Sequence, residues 1–143
     1  MQAGARTLGI ELDVMRASTQ RGIDETFASL AQKRVGALVI NPDSLFSGGI
    51  EQLVALTVRY AMPTIYNREF AAGGGLLGYG VNLADAYRMV GVYTGRVLTG
   101  AKPADLPLQQ STRVELVINL KMAKALGLTI PETLLATADE VIQ

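Results

Sequence analysis

The chain has no cysteine and no histidine. Without cysteine there is no disulfide, no thiol nucleophile and no thiolate metal site. Without histidine the chain lacks the usual general base near neutral pH and the commonest metal ligand. A Ser-His-Asp triad and an ordinary zinc site are therefore excluded. The hydroxyls of Ser44, Ser47 and Ser111 have no candidate base near them in sequence, so no catalytic residue, metal site or cofactor is expected. An excess of either charge is also missing. Lys+Arg and Asp+Glu number 13 each, which leaves no electrostatic footprint for nucleic acid or an anionic membrane. No apolar run approaches the roughly 18 residues of a membrane span, and the first residues carry no export address.

What is present reads as one globular domain: 143 residues, 49% hydrophobic and 18% charged. Apolar β-rich runs alternate with helical patterns, which predicts an α/β fold with a mainly parallel sheet. Residues 3–8 read as a helix end stopped by Gly9. Residues 10–15 alternate, with Ile10, Leu12 and Val14 on one face and Glu11 and Asp13 on a solvent face, which predicts a half-buried strand. Thr19 caps a helix with the stripe Ile23, Phe27, Leu30 and Ala31. The run from Val35 to Ile40 predicts a central strand buried on both faces. A loop at Asn41-Pro42-Asp43-Ser44 leads to a helix over about 48–61, and Pro63 opens a short strand through Tyr66. Residues 73–75 form a turn before a strand at 76–79. Asn82 caps a long helix with Asp85 in its first turn, apolar positions at Leu83, Ala86, Tyr87, Val90, Val97 and Leu98, and a stop at Gly100 and Pro103. Gly91 and Gly95, four apart, let another helix approach closely. Residues 114–119 predict a strand, and residues 120–126 a short helix closed by Gly127. Thr129 and Glu132 resemble a capping box around Pro131.

Gly73-Gly74-Gly75-Leu76-Leu77-Gly78 matches G-x-G-x-x-G formally, but apolar, strand-like residues follow where a dinucleotide site needs a helix N-terminus. More informative are polar residues just after apolar strands, because ligands of open α/β sheets bind at that edge. Asp43 is one: its carboxylate suits a ligand ammonium, or a helix cap. Tyr66, Asn67, Arg68 and Glu69 follow the third strand. Arg68 suits a carboxylate through paired N–H groups, Glu69 an amine, and Tyr66 a ring to stack on; alternatively Arg68 and Glu69 form a solvated pair. Tyr79 closes the fourth strand.

A family likeness gathers these pieces. The stretch Gly100-Ala101-Lys102-Pro103-Ala104-Asp105-Leu106-Pro107, followed by Val117-Ile118-Asn119-Leu120-Lys121 and Ala125-Leu126-Gly127-Leu128-Thr129-Ile130-Pro131, resembles the C-terminal end of ABC-transporter substrate-binding proteins of the tryptophan/tyrosine type. Upstream, Ala37-Leu38-Val39-Ile40-Asn41-Pro42-Asp43, Pro63-Thr64-Ile65-Tyr66-Asn67-Arg68-Glu69-Phe70 and Gly74-Gly75-Leu76-Leu77-Gly78-Tyr79-Gly80 are similar to family segments in the same order. Asn67 stands where the family more often has an aromatic ring. The resemblance implies a three-layer α/β/α Rossmann-like lobe, periplasmic-binding-protein type 1-like. Residues 1–143 would be the C-terminal lobe with a crossover helix at about 82–100, the N-terminal lobe and signal lying outside the chain. It implies a non-enzymatic, extracytoplasmic receptor that binds a small amino-acid-like solute between two lobes and delivers it to an ABC permease. It favours Asp43, Tyr66, Asn67, Arg68, Glu69 and Tyr79 as ligand contacts. An isolated lobe exposes a sheet edge and the apolar stripe of the long helix, so a homodimer is expected. Two other classes share the pattern: an effector-binding regulatory module of the same fold, and a flavodoxin-like cofactor protein, which flavin absorbance would reveal.

Overall fold

The computed structural model describes residues 2–107 and 114–143. Its helices are α1 (Gln2–Thr7), α2 (Gln20–Gln32), α3 (Ser44–Ser47), α4 (Ile50–Arg59), α5 (Arg68–Ala72), α6 (Leu83–Leu98), α7 (Leu120–Ala125) and α8 (Glu132–Leu135). Its strands are β1 (Leu38–Val39), β2 (Thr64–Tyr66), β3 (Leu77–Val81), β4 (Val114–Asn119) and β5 (Glu140–Ile142). They form one sheet in the order β1-β2-β3-β4-β5, in which only the β3–β4 pair is antiparallel. The sheet is mixed and mostly parallel, and the fold is α/β.

Local chemistry explains most boundaries. The Thr19 hydroxyl accepts from the Gly22 amide at the start of α2, and the Asn82 side chain accepts from the Asp85 amide at the start of α6. Each satisfies one of the amides that a helix N-terminus leaves without an intrahelical partner. Gly9, Gly100 and Gly127 follow α1, α6 and α7 with φ of +66°, +103° and +69°, the left-handed stop that glycine adopts without a Cβ penalty.

The larger core cluster lies on the face of the sheet that Tyr66 points to, and at β4 both faces are covered, with Val117 and Ile118 buried back to back. Ile23, Phe27 and Leu30 of α2 meet Leu53 and Leu56 of α4, Phe70 of α5, and Tyr66 of β2. Leu38 and Ile40 pack against the same cluster. A smaller cluster joins Leu76 to Met122 and Ala123 of α7. At about 25 cal/mol per Å2 of apolar area, each large core side chain contributes on the order of 1.5–3 kcal/mol.

The structure corrects several expectations. Residues 10–15 join no strand ladder among the described residues; Ile10 and Val14 are 58% and 61% exposed. Alternation supplies a strand's two faces, but a ladder also needs a partner, and none lies alongside among the described residues. For the same reason the run Val35 to Ile40 is not a doubly buried central strand. Only Leu38 and Val39 pair, at the sheet edge, and Val39 is 56% exposed. Thr129 and Glu132 make no capping box: Pro131 occupies the N-cap of α8, with no side-chain cap bond. Helices α3 and α5 and strand β5 were not anticipated. Helix α6 forms as its periodicity predicts, yet none of its residues is buried. Gly91 and Gly95 face open space there, so their close-packing role has no counterpart among the described residues.

Candidate functional site

The parallel strands β1 and β2 end side by side, and the residues that follow them build a polar rim. After β1 the chain reaches Asp43, whose Oδ1 accepts from the Leu45 amide at 2.8 Å and caps α3. After β2 it reaches Asn67, whose Oδ1 accepts from the Phe70 amide at 3.0 Å and caps α5. Arg68 and Glu69 begin α5, both partly exposed. These two caps fix the rim backbone.

Tyr66 differs from its expected role. It is 3% exposed, its ring set edge-on to Phe46 and Phe70. Its hydroxyl lies 2.8 Å from Ser47 Oγ and donates to the Asp43 carbonyl at 3.2 Å. The ring is a core piece bracing the Asp43 loop, and it offers no face for a ligand ring. Strand β2 directs Thr64 and Tyr66 to the covered side of the sheet, so burial follows from the pleat. Tyr79 also leaves the expected group. Tyr66 is in register with Gly78, so its neighbour Tyr79 points to the opposite sheet face, where it is 59% exposed. The structure thus brings Asp43, Asn67, Arg68 and Glu69 to one rim, puts Tyr66 beneath it, and places Tyr79 across the sheet.

Arg68 does not pair with Glu69. Its Nε donates to Glu115 Oε2 at 3.0 Å, and its Nη2 donates to Glu140 Oε2 at 2.6 Å. Glu115 Oε1 accepts from Asn82 Nδ2 at 3.0 Å. The side chain of Glu115 is 8% exposed, against 32% for Arg68 and 48% for Glu140. A carboxylate this buried is tolerated because a cation and an amide donor meet it. The Nη1 group of Arg68 has no partner among the described residues. Glycine makes the arrangement possible. A methyl at Gly78 would lie 2.9 Å from both the Arg68 Cα and the Asn67 carbonyl oxygen, so α5 sits on β3 only because Gly78 has no side chain.

Sequence reasoning missed Glu115, Glu140 and Asn82 as members of this cluster. The available signal was Glu115 itself, a carboxylate inside the apolar strand Val114–Asn119. Elsewhere, Asp13 pairs with Lys33 at an exposed site. A groove of about 300 Å3 between α1 and the residues that follow it is lined by Gln2, Ala5, Arg6, Ile10, Glu11 and Leu12, and includes none of the rim residues. Among the described residues no group of three or more acidic side chains is placed to hold a metal ion, and no helix is long and apolar enough to cross a membrane. Ser111 lies outside the described residues.

The family model described as ABC transporter substrate binding protein matches residues 1–142. No curated protein matches the chain. Among solved structures, the chain is similar to an ABC domain in complex with L-Trp from Streptococcus pneumonia. That match has 29% identity and a TM-score of 0.85, covering 98% of this chain and 48% of the other. A conserved domain protein from Vibrio cholerae O1 biovar El Tor matches at 24% identity and TM-score 0.81, covering 98% of this chain and 47% of that one. A ligand-free, open substrate binding protein with adhesive properties from Clostridium difficile matches at 19% identity and TM-score 0.61, covering 99% and 48%. The last two bear on the fold alone. The chain spans about half the length of each of these structures.

Proposed function

The chain belongs to the ABC transporter substrate-binding protein family, and we propose that it is one lobe of an extracytoplasmic receptor that closes on a small amino-acid-like solute for an ABC permease. The observation that carries this reading is the superposition of nearly the whole chain on just under half of a chain solved with L-Trp. The polar rim at the ends of β1 and β2 supports it. Asp43 and Glu69 suit an ammonium, and the Arg68 Nη1 group suits a carboxylate, the two charged ends of an amino acid. This rim binds and orients; no catalytic step is assigned to it. Residues 1–143 act as the C-terminal lobe, with α6 as the helix that crosses to the other lobe. Closure then draws its free energy from solute contacts made on both lobes at once.

One lobe keeps about half of those contacts. If a two-lobe receptor binds near micromolar, a lobe losing about 4 kcal/mol binds near millimolar. Titration of the 15N-labelled chain with L-tryptophan, followed by NMR, tests the reading. Saturation near millimolar supports it, and tight binding by the lobe alone or no binding at all contradicts it.

The chain by itself also exposes Leu83, Tyr87, Val90 and Leu98 along α6 at 42%, 72%, 62% and 82%. We propose that a second copy covers this stripe, giving a homodimer in solution. Light scattering at micromolar concentration should report twice the 15.2 kDa chain mass; a clean monomer overturns the dimer.

A further inference from the structure

We propose that Glu115 is a positioning residue that ties the solute rim to the root of α6, so that engagement of Arg68 by a solute carboxylate changes the direction in which α6 leaves the sheet. The tether is a continuous chain of contacts. Arg68 opens α5 at the rim and donates through Nε to one oxygen of Glu115. The other oxygen of Glu115 accepts from Asn82 Nδ2. The Oδ1 of Asn82 in turn accepts from the Asp85 amide at 3.1 Å and caps α6. One buried carboxylate thus holds both the rim cation and the residue at which the chain turns into α6.

The placement gives this contact mechanical weight. Strand β3 leads out to α6, and β4 brings the chain back beside it, with Gly80 in register with Glu115. No residue of helix α6 is buried, and its Tyr93 hydroxyl donates to the Pro107 carbonyl at 2.7 Å, so among the described residues little packing fixes its angle to the sheet. Among the described residues, the contact between Glu115 and Asn82 is the side-chain hydrogen bond from the sheet to the N-cap of α6. Glu140 has a different part. It is half-exposed, reaches Arg68 from the edge strand β5, and makes no contact with Asn82 in the described network. An incoming carboxylate competes with Glu140 for Arg68. As Arg68 turns toward solute, its hold on Glu115 changes, and with it the hold of Glu115 on Asn82. Movement at the rim is thereby passed to the helix that crosses between lobes.

The inference rests on the receptor reading for its solute, but its geometric half is read without one. The chain has no cysteine, so spin labels at Ala55→Cys on α4 and Thr94→Cys on α6, both exposed, report the α6 angle by double electron–electron resonance. With the labelled chain diluted into excess unlabelled chain, so that only distances within one chain are read, the unsubstituted network is expected to give one narrow distance distribution. Asn82→Ser is the cleanest perturbation. Serine still caps the helix, but it lacks the amide that donates to Glu115. Asn82→Ser and Glu115→Gln are expected to broaden and shift the distribution, while Glu140→Gln leaves it narrow. A narrow, unshifted distribution in folded Asn82→Ser overturns the tether, as does equal broadening by Glu140→Gln.

L-tryptophan then serves as the carboxylate probe, with tryptamine as its carboxylate-free counterpart. L-tryptophan is expected to shift the distance in the parent chain but not in Asn82→Ser, and tryptamine to shift neither. Glu115→Gln should weaken L-tryptophan binding about ten-fold, and Glu140→Gln should tighten it. A purely structural ion pair would leave the solute-driven distance change intact in Asn82→Ser, and that outcome overturns the coupling. Failure of L-tryptophan to bind the parent chain counts against the receptor reading, and the spin-label distances then decide the tether by themselves.

Discussion

Removing Arg68 should cost far more stability than removing the charge of Glu115, although the two form one ion pair. The reason is unequal burial: the Glu115 side chain is 8% exposed and that of Arg68 32%. Arg68→Met removes the cation that meets this buried carboxylate in the sheet's covered face and keeps the Asn82 amide. Taking the cation from a buried pair typically costs about 3–5 kcal/mol. The remaining amide bond places this case at the lower end, about 3 kcal/mol. Glu115→Gln strands nothing comparable. Arg68 keeps Glu140 at 2.6 Å and reaches water, and glutamine keeps the shape and one hydrogen bond, so the loss is about 1 kcal/mol. The double variant removes both members of the pair and should lose only about 1–2 kcal/mol, well short of the summed singles, a coupling of roughly 2–3 kcal/mol. Urea denaturation followed by far-UV circular dichroism measures all three. If Arg68→Met costs no more than Glu115→Gln, or if the two effects add, Glu115 is not a buried carboxylate neutralised by Arg68.

Gly78→Ala should destabilise by about 2 kcal/mol, because its methyl meets backbone at 2.9 Å and α5 must retreat; an unchanged urea midpoint would mean α5 is not seated on β3. Val90→Lys with Leu98→Lys places charges on the exposed stripe of α6 and should convert the dimer to monomer, leaving a melting temperature that no longer depends on protein concentration. A dimer that persists in light scattering would put the contact elsewhere.

The parts of the fold legible in sequence are those fixed within a few residues. Thr19 and Asn82 are caps whose partners lie three residues away, and the glycine stops are equally local. Pro63 and the apolar run after it gave β2, and the alternation of apolar β-rich runs with helical patterns gave the α/β class. What was not legible depended on distant partners. The alternation of residues 10–15 is a true strand pattern, but pairing needs a neighbour that the pattern cannot supply. Val35 to Ile40 looked doubly buried because hydropathy does not say whether a strand is central or at an edge. Helix α5 was hidden because Asn67 to Glu69 read as loop chemistry, when Asn67 is a cap and Phe70 an anchor at 0% exposure. Strand β5 has only three residues, too short for periodicity to register.

The rim shows the same division. Asp43, Asn67, Arg68 and Glu69 follow strands that were recognised, so their shared edge was readable. Tyr66 and Tyr79 were misplaced because their facing depends on the β2–β3 register, which sets Tyr66 beside Gly78 and turns Tyr79 away. Arg68 finds its acids 47 and 72 residues along the chain. Nothing local to Arg68 distinguishes such partners from an adjacent Glu69.

A residue-resolved NMR titration of the 15N-labelled chain with L-tryptophan decides whether this rim is half of a solute cleft. Amide shifts that saturate near millimolar concentration and centre on Asp43, Asn67, Arg68 and Glu69 are expected. Shifts centred on the groove of Ala5, Arg6 and Ile10, or none at all, would contradict it.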